Sequence, residues 1–310
     1  MKAKIYIDGQ SGTTGLQIYE RIGAREDLEL LRIDEDKRHD PAERKKFLNS
    51  ADIVFLCLPD DGAREAVAMI DNPAVRVIDA STAHRTAEGW TYGFPELSKE
   101  QRAAIASGKR IANPGCHATG LISSAAPLVR MGILPADYPL TCYSLTGYSG
   151  GGKKMIADYE GPDKGTHREA PGIYGLTLKH KHIPEMQKMA GLKNPPVFMP
   201  VVDDYYKGMA TTILLHNARL NGHPSAADIC EKLQEYYAGE YFVTVRPFEA
   251  APGTIYANEL AGTNRLELIV CGHEHQTTVT ALFDNLGKGA SGAAVQNMNI
   301  MLGLDEATGL

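Results

Sequence analysis

The sequence predicts an α/β protein with an N-terminal parallel-sheet domain and a second, α+β domain that carries a mainly antiparallel sheet. Short apolar strands alternate with helical patterns through the first 115 residues, whereas strands follow one another more closely after Leu140. A length of 310 residues is also long for one hydrophobic core. We therefore expect a first domain at 1–115, joined by a C-terminal helix at 288–310, and a second domain at 116–287.

The first strand is expected at Ala3 to Ile7, where apolar residues precede a glycine-rich turn. A helical pattern of Leu16, Tyr19 and Ile22 follows that turn. Further strands are predicted at 28–33, 52–58, 75–80 and 110–113, and helices at 41–49, 63–70 and 99–107. This alternation is typical of a parallel sheet that is covered on both faces.

Glycines at positions 9, 12 and 15 give the spacing G-x-x-G-x-x-G directly after the first strand. In this setting glycines let backbone amides approach a pyrophosphate at a helix N-terminus, so the domain is predicted to be Rossmann-like; the alternative is a merely tight turn. Ligands of such sheets bind beyond the carboxyl ends of the strands. The predicted cofactor-binding residues are therefore Gly9, Ser11, Gly12, Thr13, Thr14, Gly15, Pro59 and Ser81.

The second strand ends in a charged segment at 32–38 that bears on the choice of dinucleotide. Acidic residues there favour the free ribose hydroxyl of NAD, whereas Arg32, Lys37 or Arg38 would suit the additional phosphate of NADP. A solvated charged turn explains most of these residues equally well. The residues alone leave the choice open.

Cys116 lies in the segment Asn113-Pro114-Gly115-Cys116-His117, where a loop becomes a helix predicted at 118–131. The free amides and the positive dipole end of a helix lower the pKa of a nearby thiol. Cys116 is thus a candidate nucleophile on the same rim as the glycine turn. The alternative is a small, buried, unreactive side chain.

A glycine-rich loop, Gly147 to Gly152, follows a predicted strand at 139–145 and ends in two lysines. Its amides, hydroxyl and ammonium groups suit a phosphate or carboxylate, although flexibility alone would explain it. His180 and His182 lie two apart, before Pro184, and in an extended segment both would point to one side. We interpret one of the two histidines as an acid or base for Cys116. The alternative is that one or both lie on the surface. Two histidines without a nearby third ligand are weak evidence for a zinc site.

Later segments predict strands at 197–202, 211–216 and 242–246, a helix at 226–237, and an antiparallel strand pair at 265–271 and 277–284. The alternating residues Leu266, Leu268 and Val270 are a candidate subunit interface. A final helix at 295–302 follows Gly287 and Lys288, which form a second glycine-marked helix start. We expect this helix to pack in the dinucleotide domain.

Charge and cysteine content exclude several classes of protein. A net charge of -6 without a basic block argues against nucleic acid or an anionic membrane as the main partner. Five scattered cysteines without C-x-x-C spacing suit a reducing compartment and imply no metal site. Neither an apolar signal region nor a membrane-length apolar run is evident, so we expect a cytoplasmic protein.

Six segments, in order along nearly the whole chain, resemble the short form of the N-acetyl-gamma-glutamyl-phosphate reductase family, within the aspartate-semialdehyde dehydrogenase-like group. They are 9–15, 92–97, 113–116, 147–150, 180–185 and 285–290. The sequence departs from the family at His117 and Ala118, where the family often has an aromatic residue and proline, and we expect no effect of this on the mechanism. It also departs at the acidic end of the second strand, so the preference for NADP rests on the family.

The resemblance implies reduction of an acyl phosphate to an aldehyde with NADPH in arginine biosynthesis, with Cys116 as nucleophile and His182 as acid/base, or alternatively His180. The substrate is expected to be a small acyl phosphate, with inorganic phosphate as product, and the protein a homo-oligomer, dimer or tetramer. Expected substrate-binding residues are Asn113, Ser149, Gly150, Lys153 and Glu185; Gly287 and Lys288 join the cofactor-binding set. Two alternatives stay open: aspartate-semialdehyde dehydrogenase, and a non-catalytic redox sensor that binds NADP(H).

Overall fold

The computed structural model describes residues 2–10, 12–38 and 40–310. Its strands are β1 Ala3–Asp8, β2 Leu28–Leu31, β3 Ile53–Leu56, β4 Arg76–Asp79, β5 Thr91–Tyr92, β6 Arg110–Ala112, β7 Thr141–Gly147, β8 Gly172–Ile173, β9 Val197–Asp203, β10 Met209–His216, β11 Val243–Val245, β12 Leu266–Gly272 and β13 Gln276–Phe283. Its α-helices are α1 Thr13–Ile22, α2 Pro41–Ser50, α3 Asp60–Ala68, α4 Lys99–Ser107, α5 Cys116–Arg130, α6 Gly152–Glu160, α7 Ile183–Ala190, α8 Ala226–Tyr236 and α9 Gly292–Leu302.

The chain divides into two compact units. Unit 1 comprises Met1–Pro114 and Ala290–Leu310, and unit 2 comprises Gly115–Gly289. The division therefore runs through the segment that carries Cys116, between Pro114 and Gly115, the residue that precedes α5.

The sheet of unit 1 has the strand order β2-β1-β3-β4-β6-β5, and each neighbouring pair is parallel. The predicted parallel sheet is confirmed. Because β1 lies between β2 and β3, the direction of winding reverses there, and parallel sheets bind ligands at such a reversal. The glycine turn follows β1 and therefore begins at this point of the sheet.

Both faces of the unit 1 sheet are covered by apolar side chains. Ile5 and Ile7 of β1 join one buried cluster with residues of α1 and α9, whereas Tyr6 joins the cluster on the opposite face with residues of α2 and α3. Successive side chains of a strand point to opposite faces, so this alternation places β1 in the middle of a three-layer arrangement. Helix α9 contributes Val295 and Met298 to the first cluster, so the C-terminal segment is part of unit 1.

Local signals in the sequence explain where several helices begin. Asp40 caps α2, since its side chain accepts hydrogen bonds from the amides of Ala42 and Glu43. Pro41 follows at the first helical position, where its missing N–H costs nothing. Ser225 and Asp228 form a reciprocal capping box at the start of α8. These starts agree with the predicted helices at 41–49 and 226–237.

The sheet of unit 2 is mixed, with the strand order β11-β12-β13-β10-β7-β9-β8. The predicted antiparallel pair is confirmed as β12 and β13, and β13 continues antiparallel to β10 and β10 to β7. The pairs β7·β9 and β11·β12 are parallel. Leu266, Leu268 and Val270 are almost completely buried inside the chain. The expectation that they form a subunit interface is therefore wrong, because these side chains already fill the core.

Helix α5 packs on the sheet of unit 2, against β10 and β13, and also contacts α7. Its closest approach is at Gly120, where a Cβ atom would lie 2.4 Å from the Cβ of Thr211. A contact this short admits only glycine, so the distance between α5 and β10 depends on that residue. The helix that begins at Cys116 is thereby held firmly against the sheet.

Among the residues described, no helix combines the length and apolar character needed to cross a membrane.

Candidate active site

The glycine turn of unit 1 is built for close backbone contacts. Gly9 has φ +87°, and a Cβ there would lie 2.3 Å from the carbonyl oxygen of Cys57. The third glycine, Gly15, is the third residue of α1, and its Cβ would lie 2.5 Å from the carbonyl oxygen of Gly9. Gly12 precedes α1, has no side-chain cap, and would meet only ordinary contacts. The close approaches within the turn thus involve its first and third glycines, whereas the second has room for a methyl group.

This geometry fits a dinucleotide. Thr13 and Thr14 open α1, so their amides are among those without an acceptor inside the helix, which is where pyrophosphate binds in folds of this type. Ser11 lies outside the described residues. A bound nicotinamide dinucleotide would be held here by the glycine turn and by the start of α1.

The other predicted residues of unit 1 are placed as follows. Pro59 is exposed and precedes α3. The Ser81 hydroxyl donates to the buried carboxylate of Asp79 at 2.8 Å, and that carboxylate also contacts His84 Nδ1 at 2.6 Å. The side chain of Asn113 is buried and donates to the carbonyl of Ala290 at 2.9 Å. These contacts hold the loops after β4 and β6 in place.

Cys116 is the first residue of α5, two residues earlier than the predicted helix start, and its thiol is partly exposed. Gly115 precedes the helix with extended backbone angles and cannot cap it with a side chain. The buried carboxylate of Glu185 accepts a hydrogen bond from the Gly115 amide at 2.8 Å. Gly289 lies on the other side, where a Cβ atom would come within 3.0 Å of the Cys116 Cβ. Glu185 therefore positions the residue before the thiol, and Gly289 leaves room for it.

His180 and His182 lie together, although their segment is not extended as expected. Leu178 has φ +56° and His182 is in the αR region, so the chain turns before α7 instead. The two rings are nevertheless in edge contact, 4.8 Å between centroids. The His182 amide donates to His180 Nδ1 at 3.2 Å, which places the proton of a neutral His180 on Nε2. His182 is buried, and His180 is the more accessible of the pair.

His117 joins this histidine pair. Its ring centroid lies 5.4 Å from that of His180 and 5.7 Å from that of His182. Its Nδ1 contacts the Ser144 hydroxyl at 2.8 Å, and its Nε2 contacts the Tyr174 hydroxyl at 2.7 Å. Burial raises the pKa of Tyr174, and the nearby Cys116 thiolate raises it further. Tyr174 therefore remains protonated beside the sulfur.

The segment 147–154, predicted to be an anion-binding loop, is mostly ordered by contacts within unit 2 and by helix α6. Ser149 is buried, and its hydroxyl accepts from the Asn285 side chain at 3.0 Å, whereas Gly150 is exposed. Lys153 and Lys154 are in helix α6 and not in a flexible loop. Lys288, expected near the cofactor together with Gly287, is 1% exposed, and its ammonium lies 5.7 Å from the ring centroid of Phe242.

Sequence reasoning missed Tyr174 and assigned no role to His117. Tyr174 is a single aromatic residue in a loop with no periodic pattern, so no local signal distinguishes it. His117 follows Cys116 directly, and a test for hydrogen-bonding side chains next to Cys116 would have found it. Within residues 2–10, 12–38 and 40–310, no group of three His, Cys, Asp or Glu side chains is arranged to hold a metal ion.

His117 makes the stability of the fold depend on pH. Burial, with smaller contributions from His180 and Lys181, lowers its pKa to about 3. Below pH 6.5 the unfolded chain binds a proton that the folded chain does not, so the free energy of unfolding falls as pH falls, until about pH 3. The loss of unfolding free energy approaches about 1.4 kcal/mol per pH unit. Denaturant unfolding from pH 6.5 to 4 should give a shallower pH slope for His117→Phe.

The exposed His275 is the matched control for this measurement. His275→Asn should keep the wild-type slope because its imidazole is already solvated. Equal slopes for His117→Phe and wild type would show that His117 titrates normally in the folded protein, contrary to the effect of its burial.

A second test concerns Gly12. A methyl group at this position meets nothing closer than 3.4 Å, so Gly12→Ala should unfold at the wild-type temperature. The same methyl would obstruct backbone approach to a pyrophosphate, so the dissociation constant for NADPH should rise about tenfold, measured by titration calorimetry. Gly62→Ala, in α3 with its Cβ also at ordinary contact distance, is the control. Unchanged NADPH affinity in Gly12→Ala would rule out this turn as the pyrophosphate site.

Each of the two units is matched by a known protein family. The family described as "Semialdehyde dehydrogenase, NAD binding domain" matches residues 10–105. The family described as "Semialdehyde dehydrogenase, dimerisation domain" matches residues 116–285. A crystal structure of aspartate semialdehyde dehydrogenase II from Vibrio cholerae superposes with a TM-score of 0.72 at 16% identity, covering 97% of this chain and 99% of that one. At this identity the likeness shows the fold.

Full-length relatives are much closer in sequence. N-acetyl-gamma-glutamyl-phosphate reductase 2 from Nostoc sp. is 48% identical over 320 residues, covering 100% of this chain and 99% of the relative. A protein of the same name from Pseudomonas putida is 50% identical over 311 residues, covering 98% of each chain.

The fold and the two matched families thus define a semialdehyde dehydrogenase with a nicotinamide-dinucleotide-binding domain. Within that class, the chain belongs to the N-acetyl-gamma-glutamyl-phosphate reductase family. The resemblance noted in the sequence is confirmed.

Proposed function

We propose that this protein catalyses the NADPH-dependent reductive dephosphorylation of N-acetyl-gamma-glutamyl phosphate to N-acetylglutamate 5-semialdehyde, a step of arginine biosynthesis. The observation that carries the proposal is the position of Cys116 at the start of α5, beside a cluster of histidines, in a chain about half identical to reductases of that name. A thiol at a helix N-terminus with an adjacent acid/base is the arrangement that acyl transfer through a thioester requires.

In the first step the Cys116 thiolate attacks the acyl carbon. A C–S bond forms, the C–O bond to phosphate breaks, and inorganic phosphate leaves with the electron pair. Amide groups at the start of α5 have no intrahelical acceptor, so they stabilise the oxyanion that develops on the acyl oxygen. Glu185 holds the Gly115 amide, which keeps the approach to the nucleophile in one conformation.

In the second step the thioester carbonyl is reduced; the glycine turn and the start of α1 would hold NADPH, which would supply the hydride. The C–S bond then breaks, its electron pair returns to the Cys116 sulfur, and the semialdehyde leaves. The overall reduction consumes one proton, and His182 is the proposed source. His182 lies in the histidine cluster next to the nucleophile's helix, whereas the half-buried His180 can exchange protons with solvent. His180 remains the alternative donor.

The remaining predicted residues have proposed roles that follow from their contacts. Asn113 and Ser149 are hydrogen-bonded within their units and would shape the substrate site through those contacts, and Gly150 and Lys153 are accessible to an anionic substrate. The five cysteines are free, which suits a cytoplasmic location.

We also propose that the protein self-associates through unit 2, for which the matched family is described as a dimerisation domain. The exposed side chains of Tyr143, Val197, Met199 and Leu214 share one face of β7, β9 and β10. This apolar face replaces the buried strand β12 as the candidate interface, and sedimentation equilibrium would give the number of chains that associate.

The experiment that tests the function follows the reverse reaction. Oxidation of N-acetylglutamate semialdehyde should require both phosphate and NADP, and should be much slower with NAD. Aspartate semialdehyde under the same conditions should react poorly. Preference for aspartate semialdehyde would instead indicate the aspartate-semialdehyde dehydrogenase reaction, and nucleotide binding without phosphate-dependent oxidation of either aldehyde would indicate a redox sensor.

A further inference from the structure

A series of hydrogen bonds runs through unit 2 from the sheet, through His117, to the Tyr174 hydroxyl. Thr211 of β10 and Ser144 of β7 are cross-strand partners, and their hydroxyls lie 2.7 Å apart. The Ser144 hydroxyl contacts His117 Nδ1, and His117 Nε2 contacts the Tyr174 hydroxyl, at 2.8 and 2.7 Å. Thr211 and Ser144 are fully buried, and His117 is 3% exposed.

The direction of these hydrogen bonds follows from Thr211, the last hydroxyl of the series. Among the residues that the structure describes, Ser144 is the one partner of the Thr211 hydroxyl. Water cannot serve as a second partner on the helix side, because a Cβ on Gly120 of α5 would already lie 2.5 Å from Thr211 Oγ1. A buried hydroxyl that donates to nothing costs free energy, so Thr211 donates to Ser144.

The donors and acceptors of the remaining hydrogen bonds are then determined. Ser144 accepts from Thr211 and must send its own proton to His117 Nδ1. A neutral imidazole carries one proton, which therefore lies on Nε2 and is donated to the Tyr174 oxygen. The low pKa of His117 keeps the ring neutral through the physiological range. The Tyr174 proton is left over, on a hydroxyl that is hydrogen-bonded to the residue after Cys116 and is near enough to Cys116 for its charge to raise the pKa of Tyr174.

We propose that Tyr174 is a further catalytic residue, which donates its phenolic proton in a hydrogen bond to the acyl oxygen of the substrate on Cys116, and that His117 is the positioning residue that orients this hydroxyl. The proposal rests on the function proposed above. No covalent bond to Tyr174 forms or breaks; the hydroxyl supplements the helix amides as an oxyanion donor. His117, which departs from the family's usual aromatic residue, thereby gains a role in the reaction.

Kinetics of three variants test the catalytic part. Tyr174→Phe should lower kcat about 100-fold with little change in KM for the acyl phosphate, as the loss of one oxyanion donor does. His117→Phe should lower kcat on the order of 10-fold, since it leaves the hydroxyl in place but unoriented. The double variant should be no slower than Tyr174→Phe alone, because both changes affect one donor.

Controls separate this effect from a general loss of structure. His117→Gln keeps an N–H donor and should recover part of the activity that His117→Phe loses. Tyr256 is 65% exposed, and Tyr256→Phe should keep wild-type kcat. Wild-type kcat in Tyr174→Phe, or fully additive losses in the double variant, would overturn the proposal.

Nitrogen NMR of the histidine-labelled, unliganded protein tests the direction of these hydrogen bonds without any substrate. We expect a protonated Nε2 and an unprotonated Nδ1 for His117, assigned by comparison with His117→Phe. A protonated Nδ1 would mean that Tyr174 donates to His117 and is unavailable to the substrate, which would overturn the proposal. Because this measurement needs no turnover, it stays decisive if the wild-type enzyme fails to reduce the acyl phosphate and the proposed function is wrong.

Discussion

Replacing Cys116 with serine should abolish acyl-phosphate-dependent NADPH oxidation, with a loss of at least about 10⁴-fold in kcat. A serine hydroxyl ionises far less readily than a thiol and attacks the acyl carbon much more slowly. It would also form an ester, which accepts hydride less readily than a thioester. Affinity for NADPH should be unchanged, since the glycine turn belongs to unit 1 and Cys116 to unit 2.

The matched control is Cys271→Ser, which changes a partly buried thiol on β12. This variant should keep wild-type turnover because burial raises the pKa of Cys271 and the residue has no part in the proposed chemistry. Substantial turnover in Cys116→Ser with full occupancy of NADPH would contradict the covalent mechanism.

Gly120→Ala should lower the free energy of unfolding by about 3 kcal/mol. The new methyl would lie 2.4 Å from the Cβ of Thr211 and 2.9 Å from its Cγ2, so α5 or β10 must move. The gain in helix propensity from glycine to alanine, about 1 kcal/mol, is too small to offset this overlap. Because α5 begins at Cys116, kcat should fall as well.

Gly253 is the control for this substitution. Its Cβ would meet nothing within 4 Å, so Gly253→Ala should keep both the midpoint of urea unfolding and the activity of the wild type. A Gly120→Ala protein as stable as Gly253→Ala would show that α5 can shift away from β10 without cost, contrary to the tight contact between Gly120 and Thr211.

Much of the fold was predictable because it rests on local patterns. Alternating strands and helices gave the parallel sheet of unit 1, and helix α4 occupies the predicted residues 99–107. The glycine spacing indicated the turn after β1, because glycine is the residue that a φ of +87° and a 2.3 Å approach to a carbonyl require.

Other features depend on tertiary contacts and left weaker signals. The segment 147–154 has the composition of a flexible loop, yet residues from Gly152 form helix α6, since packing overrides low local propensity. The turn at Leu178 brings His180 and His182 together in a way that no extended segment would. Apolar alternation in β12 indicated a buried face but could not tell core from interface.

The hydrogen-bond network of His117 was the least predictable part of the candidate site. Thr211, Ser144, His117 and Tyr174 come from four separate parts of the chain, and none of them forms a motif with another. The pairing of β7 with β10 and the packing of α5 against β10 bring the first three together, and the pairing of β8 with β9 and of β9 with β7 adds Tyr174. The motif around Cys116 thus indicated the proposed nucleophile, whereas the proposed oxyanion donor Tyr174 required the structure.

The most direct test of the central claim is a mass measurement of the intact protein after mixing with N-acetyl-gamma-glutamyl phosphate in the absence of nicotinamide cofactor. We expect one N-acetylglutamyl group per chain, bound to Cys116 in a hydroxylamine-sensitive bond, with release of one equivalent of phosphate. An acyl group on any other residue, or none at all in an enzyme that turns over when NADPH is added, would contradict the thioester mechanism.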